Sequence, residues 1–365
     1  MRLSILFLIL CLFSACSTHH ESNKLGTIDF EQGLHEKNHF DLKDRVTGIK
    51  YIPFETKEEC MLSDIRNIFK VQDNYVVQDT EYVYMFDPSG HFIRKVSTKG
   101  KGPGEYELLV DVQCSQNEIF LVSLGKILVF SATGDYTRTI PLDDLRLQAM
   151  SIDNEGNFYF IMPDKTQKKE ITSIDLIHIY DKEGHFIRKV ESKVVRHEAG
   201  LAYYNNIMNI DGVGVAYKEL FGNVIYSINK NTEPDSLFVL SLNDSFFKKA
   251  DFNRSKRHIW GDKYLLLDVF NTPKTNIFKL QKGLIKPTHE YLVFDKEKDK
   301  IHRPLFDENK LGLSCDGIKM HPVNQTGKTL LFTVDPEYLE ALTEKNPNIK
   351  LEEDCNPVLA VLTFK

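Results

Sequence analysis

Seven residues occur twice, letter for letter: Gly90-His91-Phe92-Ile93-Arg94-Lys95-Val96 and Gly184-His185-Phe186-Ile187-Arg188-Lys189-Val190. A degenerate third copy lies between them, where Gly134, Tyr136, Arg138 and Ile140 align with the glycine, aromatic, arginine and final aliphatic of the other two. The glycines recur at roughly 45–50 residues, the period of propellers and related repeat arrays. A unit of that length makes one small sheet that cannot bury both faces alone, so the chain is expected to stack repeated sheets against one another.

Each copy has the same internal order. An alternating run (Tyr82-Val83-Tyr84-Met85-Phe86, Lys126-Ile127-Leu128-Val129-Phe130, Ile177-His178-Ile179-Tyr180) leads into a polar cluster ending in Gly, and a second alternating run follows. Period-two hydrophobicity broken by a short Gly-containing segment is the mark of a β-hairpin, with Gly supplying a positive φ in the turn. His91 and His185 then read as half-exposed strand residues. Arg94, Arg138 and Arg188 read as solvent-facing charges that keep the edge from pairing with another sheet.

The N-terminus sets the expected compartment. Met1-Arg2 precedes an apolar run from Leu3 to Phe13 and then Ser14-Ala15-Cys16. About eleven apolar residues are too few to span a bilayer and fit a cleaved export signal. Phe13-Ser14-Ala15-Cys16 resembles a bacterial lipobox with Phe in place of the usual Leu, which makes Cys16 the lipidated first residue of the mature chain; secretion with cleavage after a small residue is the plainer alternative. Residues 1–16 are thus read as a lipoprotein signal, 17–45 as a polar tether and 46–365 as the folded domain. The chain carries 46 Lys and Arg against 52 Asp and Glu, and Arg2 leaves with the signal. No basic stripe stands out, which disfavours nucleic acid as a partner.

The remaining length holds about six units of this period, expected near 61–99, 107–142, 146–192, 200–242, 255–306 and 314–365. Asp335-Pro336-Glu337, followed by Leu339 and Leu342, predicts a short helix with an Asp cap and a first-turn Pro. The final run Asn356 to Phe364 predicts a closing strand, and Val46 to Phe54 is its natural partner, since a ring zipped by its two chain ends has no open edge. The expected fold is all-β: a six-bladed β-propeller closed by N- and C-terminal strands.

Tyr51-Ile52-Pro53-Phe54-Glu55-Thr56, Met85-Phe86-Asp87-Pro88-Ser89-Gly90-His91-Phe92, Gly100-Lys101-Gly102-Pro103-Gly104-Glu105-Tyr106 and Asn356-Pro357-Val358-Leu359 occur in this order. Together they resemble the six-bladed β-propeller lipoproteins of Bacteroidetes, which are related to the NHL-repeat propellers. The resemblance spans about residues 45–365. It implies the fold and a cell-envelope location, lipid-anchored and at the outer membrane, and supplies no catalytic residues.

The Gly-rich loop is not read as a phosphate cradle, because a strand rather than a helix follows it. It is expected to be a rigid crossover between blades, with Glu105 and Tyr106 at the channel rim. His-Glu-x-x-His, Gly-x-Ser-x-Gly and Cys-x-x-Cys are all missing from the sequence. Cys60 and Cys355 flank the expected closing pair of strands and form a candidate disulfide. Two function classes stay open. The first is a binding or scaffold module of the cell envelope, monomeric and without a cofactor, that captures a glycan, peptide or protein at the channel mouth. Its candidate contacts are Lys101, Glu105, Tyr106, Arg196, His197, Glu198, Tyr203, Tyr204 and Trp260. The second is a metal-dependent propeller hydrolase or lyase, lactonase-like, with calcium or zinc on the axis. Asp111, His197, Glu198, Asn205 and His258 are possible ligands by type.

Overall fold

A computed structural model describes residues 27–142, 149–165, 172–197, 207–219, 221–251, 258–352 and 354–365. Six antiparallel sheets follow one another along the chain. From inner to outer strand, blade 1 holds Asn67–Val71, Asn74–Gln78, Val83–Phe86 and Phe92–Lys95, and blade 2 holds Asp111–Cys114, Glu118–Ser123, Lys126–Ser131 and Tyr136–Pro141. Blade 3 holds Ala149–Ile152, Phe158–Lys165, Thr172–Tyr180 and Phe186–His197; blade 4 holds Ile207–Ile210, Gly214–Lys218, Val224–Ser227 and Asp235–Ser241. Blade 5 holds Tyr264–Asn271, Thr275–Lys282, Thr288–Asp295 and Lys300–Asp307. Inner strands of blades 1 to 5 touch in succession, and that of blade 6, Ile318–Thr326, touches that of blade 1. This is a six-bladed β-propeller.

Blade 6 is the closure. Its second and third strands, Thr329–Val334 and Val358–Phe364, come from the C-terminal end, while its outer strand comes from the N-terminal end. Val358 pairs with Pro53 and the antiparallel register runs to Phe364 opposite Val46. The predicted cap forms as expected: Asp335 Oδ1 accepts from the Glu337 N–H at 3.1 Å, ahead of Pro336–Tyr338 and the helix Leu339–Lys345.

Because each blade is covered on both faces, residues on both faces of the inner alternating runs are buried. In Val83–Phe86 all four residues are buried: Tyr84 and Phe86 face blade 6, whereas Val83 and Met85 face blade 2. The core is accordingly a ring of apolar wedges between neighbouring blades, and burial at ~25 cal/mol per Å² of apolar surface holds the ring shut.

The repeated motif is a stitch between blades. Gly90, Gly134 and Gly184 have φ of 92°, 81° and 90° in the outer turns of blades 1, 2 and 3. A Cβ on Gly184 would lie 2.2 Å from Ile140 Cγ2 of blade 2, and one on Gly90 would lie 2.1 Å from the Pro53 carbonyl oxygen of blade 6. In the same turns Asp87 and Asp181 accept N–H bonds from the repeated His91 and His185, and their second oxygens meet the imidazoles at 3.2 and 3.0 Å. The arginines differ from the expectation of free edge charges. Arg94 reaches Asp135 in the turn of blade 2 at 2.6 Å, and Arg188 binds the Asn229 and Thr232 carbonyls and Glu233 in the turn of blade 4. Arg138 pairs within its own blade, with Glu118.

The fold also begins earlier than residue 46. Strand β1 (Thr27–Asp29) adds in parallel to the outer strand of blade 4, helix α1 (Phe30–His35) crosses over, and β2 (Lys37–His39) adds in parallel to the outer strand of blade 5. The chain then enters β3 (Val46–Pro53), the outer strand of blade 6. Ile28, Phe30, Leu34, Phe40 and Leu42 are buried beneath this strap, so the apolar islands of the expected tether are packing residues. Among the described residues no helix is long and apolar enough to cross a membrane.

Candidate functional site

Inner strands diverge from their neighbours, so their outward backbone groups cannot all pair with another strand. Side-chain amides and carboxylates satisfy them instead. Gln113 donates to the Met150 carbonyl at 2.9 Å, while Asp111 accepts from the Met150 N–H at 2.8 Å. Asn209 donates to Ile152 at 2.8 Å and Asn271 to Asp211 at 2.6 Å, and Gln325 exchanges two bonds with the Asn271 backbone. Buried backbone groups without partners are costly, which explains the polar residues on the axis. The axial cavity, lined by Asn67, Gln113, Ser151, Asn209, Asp268, Asn324 and Gln325 so that every blade brings at least one polar side chain, has a volume of about 90 Å³. That is room for a few waters.

The polar lining continues from the axis into the wedge between blades 5 and 6. Across blade 5, Asp268 pairs in register with Lys279, and Lys279 with Tyr291. Cross-strand partners share a face, and Tyr291 packs toward blade 6. From blade 6, His321 Nδ1 meets the Tyr291 hydroxyl at 3.0 Å, and its Nε2 meets Asp335 Oδ2 at 3.1 Å. Lys319 reaches the same carboxylate oxygen at 2.7 Å. Burial would raise the Asp335 carboxyl, but the Lys319, His321 and Glu337 donors outweigh it and hold it below the usual range. An anionic Asp335 accepts a hydrogen bond from His321 Nε2–H, which leaves Nδ1 to accept from the Tyr291 hydroxyl. Burial pushes the Tyr291 hydroxyl far up, with Asp335 adding to it, and holds His321 down against the pull of Asp335. The trio is therefore neutral Tyr, neutral His and carboxylate, a fixed wall rather than an activated nucleophile.

Lys279 and Asp268 are perturbed in opposite ways. Burial lowers the Lys279 ammonium, with Asp268 opposing, and burial lifts the Asp268 carboxyl to about 6 against the Val269 N–H and Lys279. At the open side of the wedge, partial burial and the positive charges of Lys279 and His321 push His289 to about 4. Perturbed groups gathered in one cleft mark candidate functional sites. A second hollow of about 500 Å³, between blades 3 and 4, has the stacked rings of Tyr217 and Tyr226 with Glu219 and Glu233 at its edge.

The residues singled out in the sequence are dispersed. Lys101 is exposed and 3.2 Å from Glu107. Glu105 folds back to accept from the Gly102 N–H at 2.7 Å, and Tyr106 is 1% exposed with its hydroxyl donating to the Glu81 carbonyl at 2.8 Å. The Gly-Pro-Gly-Glu-Tyr loop is thus a packed crossover, and Tyr106 belongs to the core rather than to the channel rim. Trp260 is half-buried, with Nε1 donating to the Asp251 carbonyl at 2.8 Å. Arg196 and His197 end the outer strand of blade 3, opposite Ser173 and Thr172. Glu198, Tyr203, Tyr204, Asn205 and Cys16 lie outside the described residues.

Among the possible metal ligands, Asp111 spends both carboxylate oxygens on the Val112 and Met150 N–H groups, and His258 is exposed in the blade 4–5 crossover. Among the described residues no group of three or more His, Cys, Asp or Glu is placed to hold a metal. Cys60, Cys114, Cys315 and Cys355 are free thiols. Burial pushes all four up, the reverse of what a nucleophilic cysteine needs. Where a Cys60–Cys355 bridge was expected, Asn356 does the joining: its Nδ2 donates to the Glu55 and Cys60 carbonyls at 2.6 and 2.9 Å, and its Oδ1 accepts from the Leu62 N–H at 2.8 Å.

A family model described as a domain of unknown function, DUF4934, matches residues 25–363. Among solved structures, a Bacteroides fragilis protein described as exported superposes with a TM-score of 0.63 at 16% identity, over 90% of this chain and 99% of that one. A DUF4221 member from Bacteroides vulgatus gives 0.49 at 10% identity, over 88% and 97%. No curated protein matches the sequence.

Proposed function

The chain belongs to the DUF4934 family, and from its geometry we propose that it is a binding module working outside the cytoplasm, anchored through Cys16 and presenting the crossover end of the ring to a glycan, peptide or protein. The N-terminal export pattern supports the location. One observation carries the binding role: the face of blade 5 turned toward blade 6 carries Lys279 and, diagonally across the next strand, His289, beside a wall fixed by the Tyr291–His321–Asp335 bonds. Rigid convergent polar groups beside a packed apolar core are what a recognition site requires. The wall itself has no activated nucleophile, since Tyr291 is 4% exposed and keeps its proton.

A thermal-shift screen of the full chain in mild detergent against envelope glycan fragments and short peptides tests this reading. The expected result is a raised Tm with at least one class and recovery of that ligand unchanged by mass spectrometry. Turnover of a lactone or glycan that stops on adding a chelator would instead establish the metal-dependent hydrolase or lyase.

A further inference from the structure

We propose that the wedge between blades 5 and 6 binds a carboxylate carried by the ligand, with Lys279 as its charge partner and His289 at its mouth. The inference deepens the binding-module reading and rests on it. Lys279 projects from the second strand of blade 5 toward blade 6, between Asp268 and Tyr291 in register. Among the described residues its ammonium has neither a hydrogen bond nor an ion pair; the side chain is half-buried, and Asp268 attracts it only from a distance. A partly buried ammonium with only a distant counter-charge is left undersatisfied. It is tolerated where the missing partner arrives with a ligand.

Every other charged or titratable group facing this space is either committed or at its margin. Asp335 is saturated by Lys319, His321 and the Glu337 N–H. His321 is held between Tyr291 and Asp335. Asp268 accepts from its neighbouring Val269 N–H at 2.8 Å and stands on the axial side. That leaves Lys279 and the exposed His289, which lies diagonally across the strand pair from it. Together they offer a cation and an N–H donor to one anionic oxygen pair. With Asp268 and Asp335 already on two sides, a dianionic phosphate would be repelled more than a singly charged carboxylate. Such a carboxylate is found at the C-terminus of a peptide and on an acidic sugar.

Calorimetric titration of the full chain in mild detergent at low ionic strength decides the matter, with glucuronate, a short peptide bearing a free C-terminus, the same peptide amidated, and inorganic phosphate as probes. The expected result is binding of glucuronate or of the free-acid peptide but not of the amide. Lys279→Met weakens that binding at least tenfold and Lys279→Arg restores it to within a few-fold. His289→Ala, at an exposed position, weakens it about three- to tenfold, and serves if Lys279→Met fails to fold. The proposal is overturned by phosphate binding more tightly than either carboxylate, by equal affinities in the wild type and Lys279→Met, or by an absence of carboxylate binding. If a neutral glycan or peptide still binds in that last case, the binding-module reading stands and the carboxylate site alone falls.

Discussion

Gly184 in the outer turn of blade 3 and Phe30 in the strap over blades 4 and 5 do the same work with opposite means. The glycine joins blades by having no side chain, so that the turn backbone can lie against Ile140 of blade 2. The phenylalanine joins them by filling space, with no exposed surface and its ring edge-on to Phe278 at 4.8 Å. Blades 1 to 3 carry the repeated stitch and leave their outer strands without an added partner strand among the described residues, whereas blades 4 and 5 lack the motif and have their outer edges covered by β1 and β2. A ring can evidently be closed by repetition or by wrapping. Wrapping frees blades 4 and 5 from the motif, and the wedge containing the perturbed charges lies on the wrapped side.

If the strap replaces the stitch, its loss should be the most damaging single change. Phe30→Ala empties a site shared by α1, Phe246 and Phe278, and large-to-small changes of this kind cost about 3–5 kcal/mol. Urea unfolding should show that loss, with proteolysis beginning in blades 4 and 5. A cost under about 1 kcal/mol would mean that those blades hold together without the strap, and the contrast with blades 1 to 3 would collapse.

On the stitched side the matching change is Gly184→Ala. A non-glycine residue at φ of 90° is strained by about 1–3 kcal/mol, and the added methyl meets Ile140 Cγ2 at 2.2 Å. The expected destabilisation is about 2–3 kcal/mol by urea unfolding. In an Ile140→Ala background, which removes that Cγ2, Gly184→Ala should recover part of this cost relative to the wild-type background if the contact between blades is what matters. Failure to recover would place the whole effect in the turn backbone and weaken the reading of the motif as a stitch between blades.

The two sides were also unequally legible. Hairpin periods, positive-φ glycines and the Asp335-Pro336 cap are local signals, read within a few residues, and they gave the blades, the closing strands and the short helix. The strap is hidden in the sequence because Ile28, Phe30 and Leu34 are apolar islands in a polar segment, and their partners Phe246 and Phe278 lie over two hundred positions away. The wedge is hidden for a different reason. In Thr275–Lys282 the polar Lys279 and Gln281 alternate with Phe278 and Leu280, and alternation alone reads them as facing solvent. In a propeller both faces of a blade are covered. The usable signal was a comparison of blades: the second strands of blades 1 and 2, Tyr75-Val76-Val77 and Ile119-Phe120-Leu121-Val122, are wholly apolar where blade 5 carries Lys279. Of the aromatics expected at the channel mouth, Tyr106 lies in the core and Trp260 is half-buried, since a sequence does not show which end of a side chain meets its neighbours.

The same comparison separates the carboxylates by pH. In the stitched turns, burial would raise Asp87 and Asp181, but hydrogen bonds from His91, His185 and the turn N–H groups prevail and lower them. Their contribution is present above the unfolded carboxyl range and fades as pH falls through the folded one. Asp268 runs the other way. Burial lifts it from 3.8 to about 6, so between about pH 4 and pH 6 the folded chain binds more protons than the unfolded one at this site, and stability declines as pH rises through that window. Asp268→Asn should remove this decline. At 1.36 kcal/mol per unit the penalty at pH 7, net of the attraction of Lys279, is at most about 3 kcal/mol, so a gain of about 1–3 kcal/mol is expected in urea unfolding at pH 7, falling to about a third of that at pH 4.5. A loss at pH 7 would instead show that Asp268 is the counter-ion Lys279 depends on. The ammonium would then already have its partner within the ring, and the wedge would be another closure device of the wrapped blades rather than a seat for a ligand.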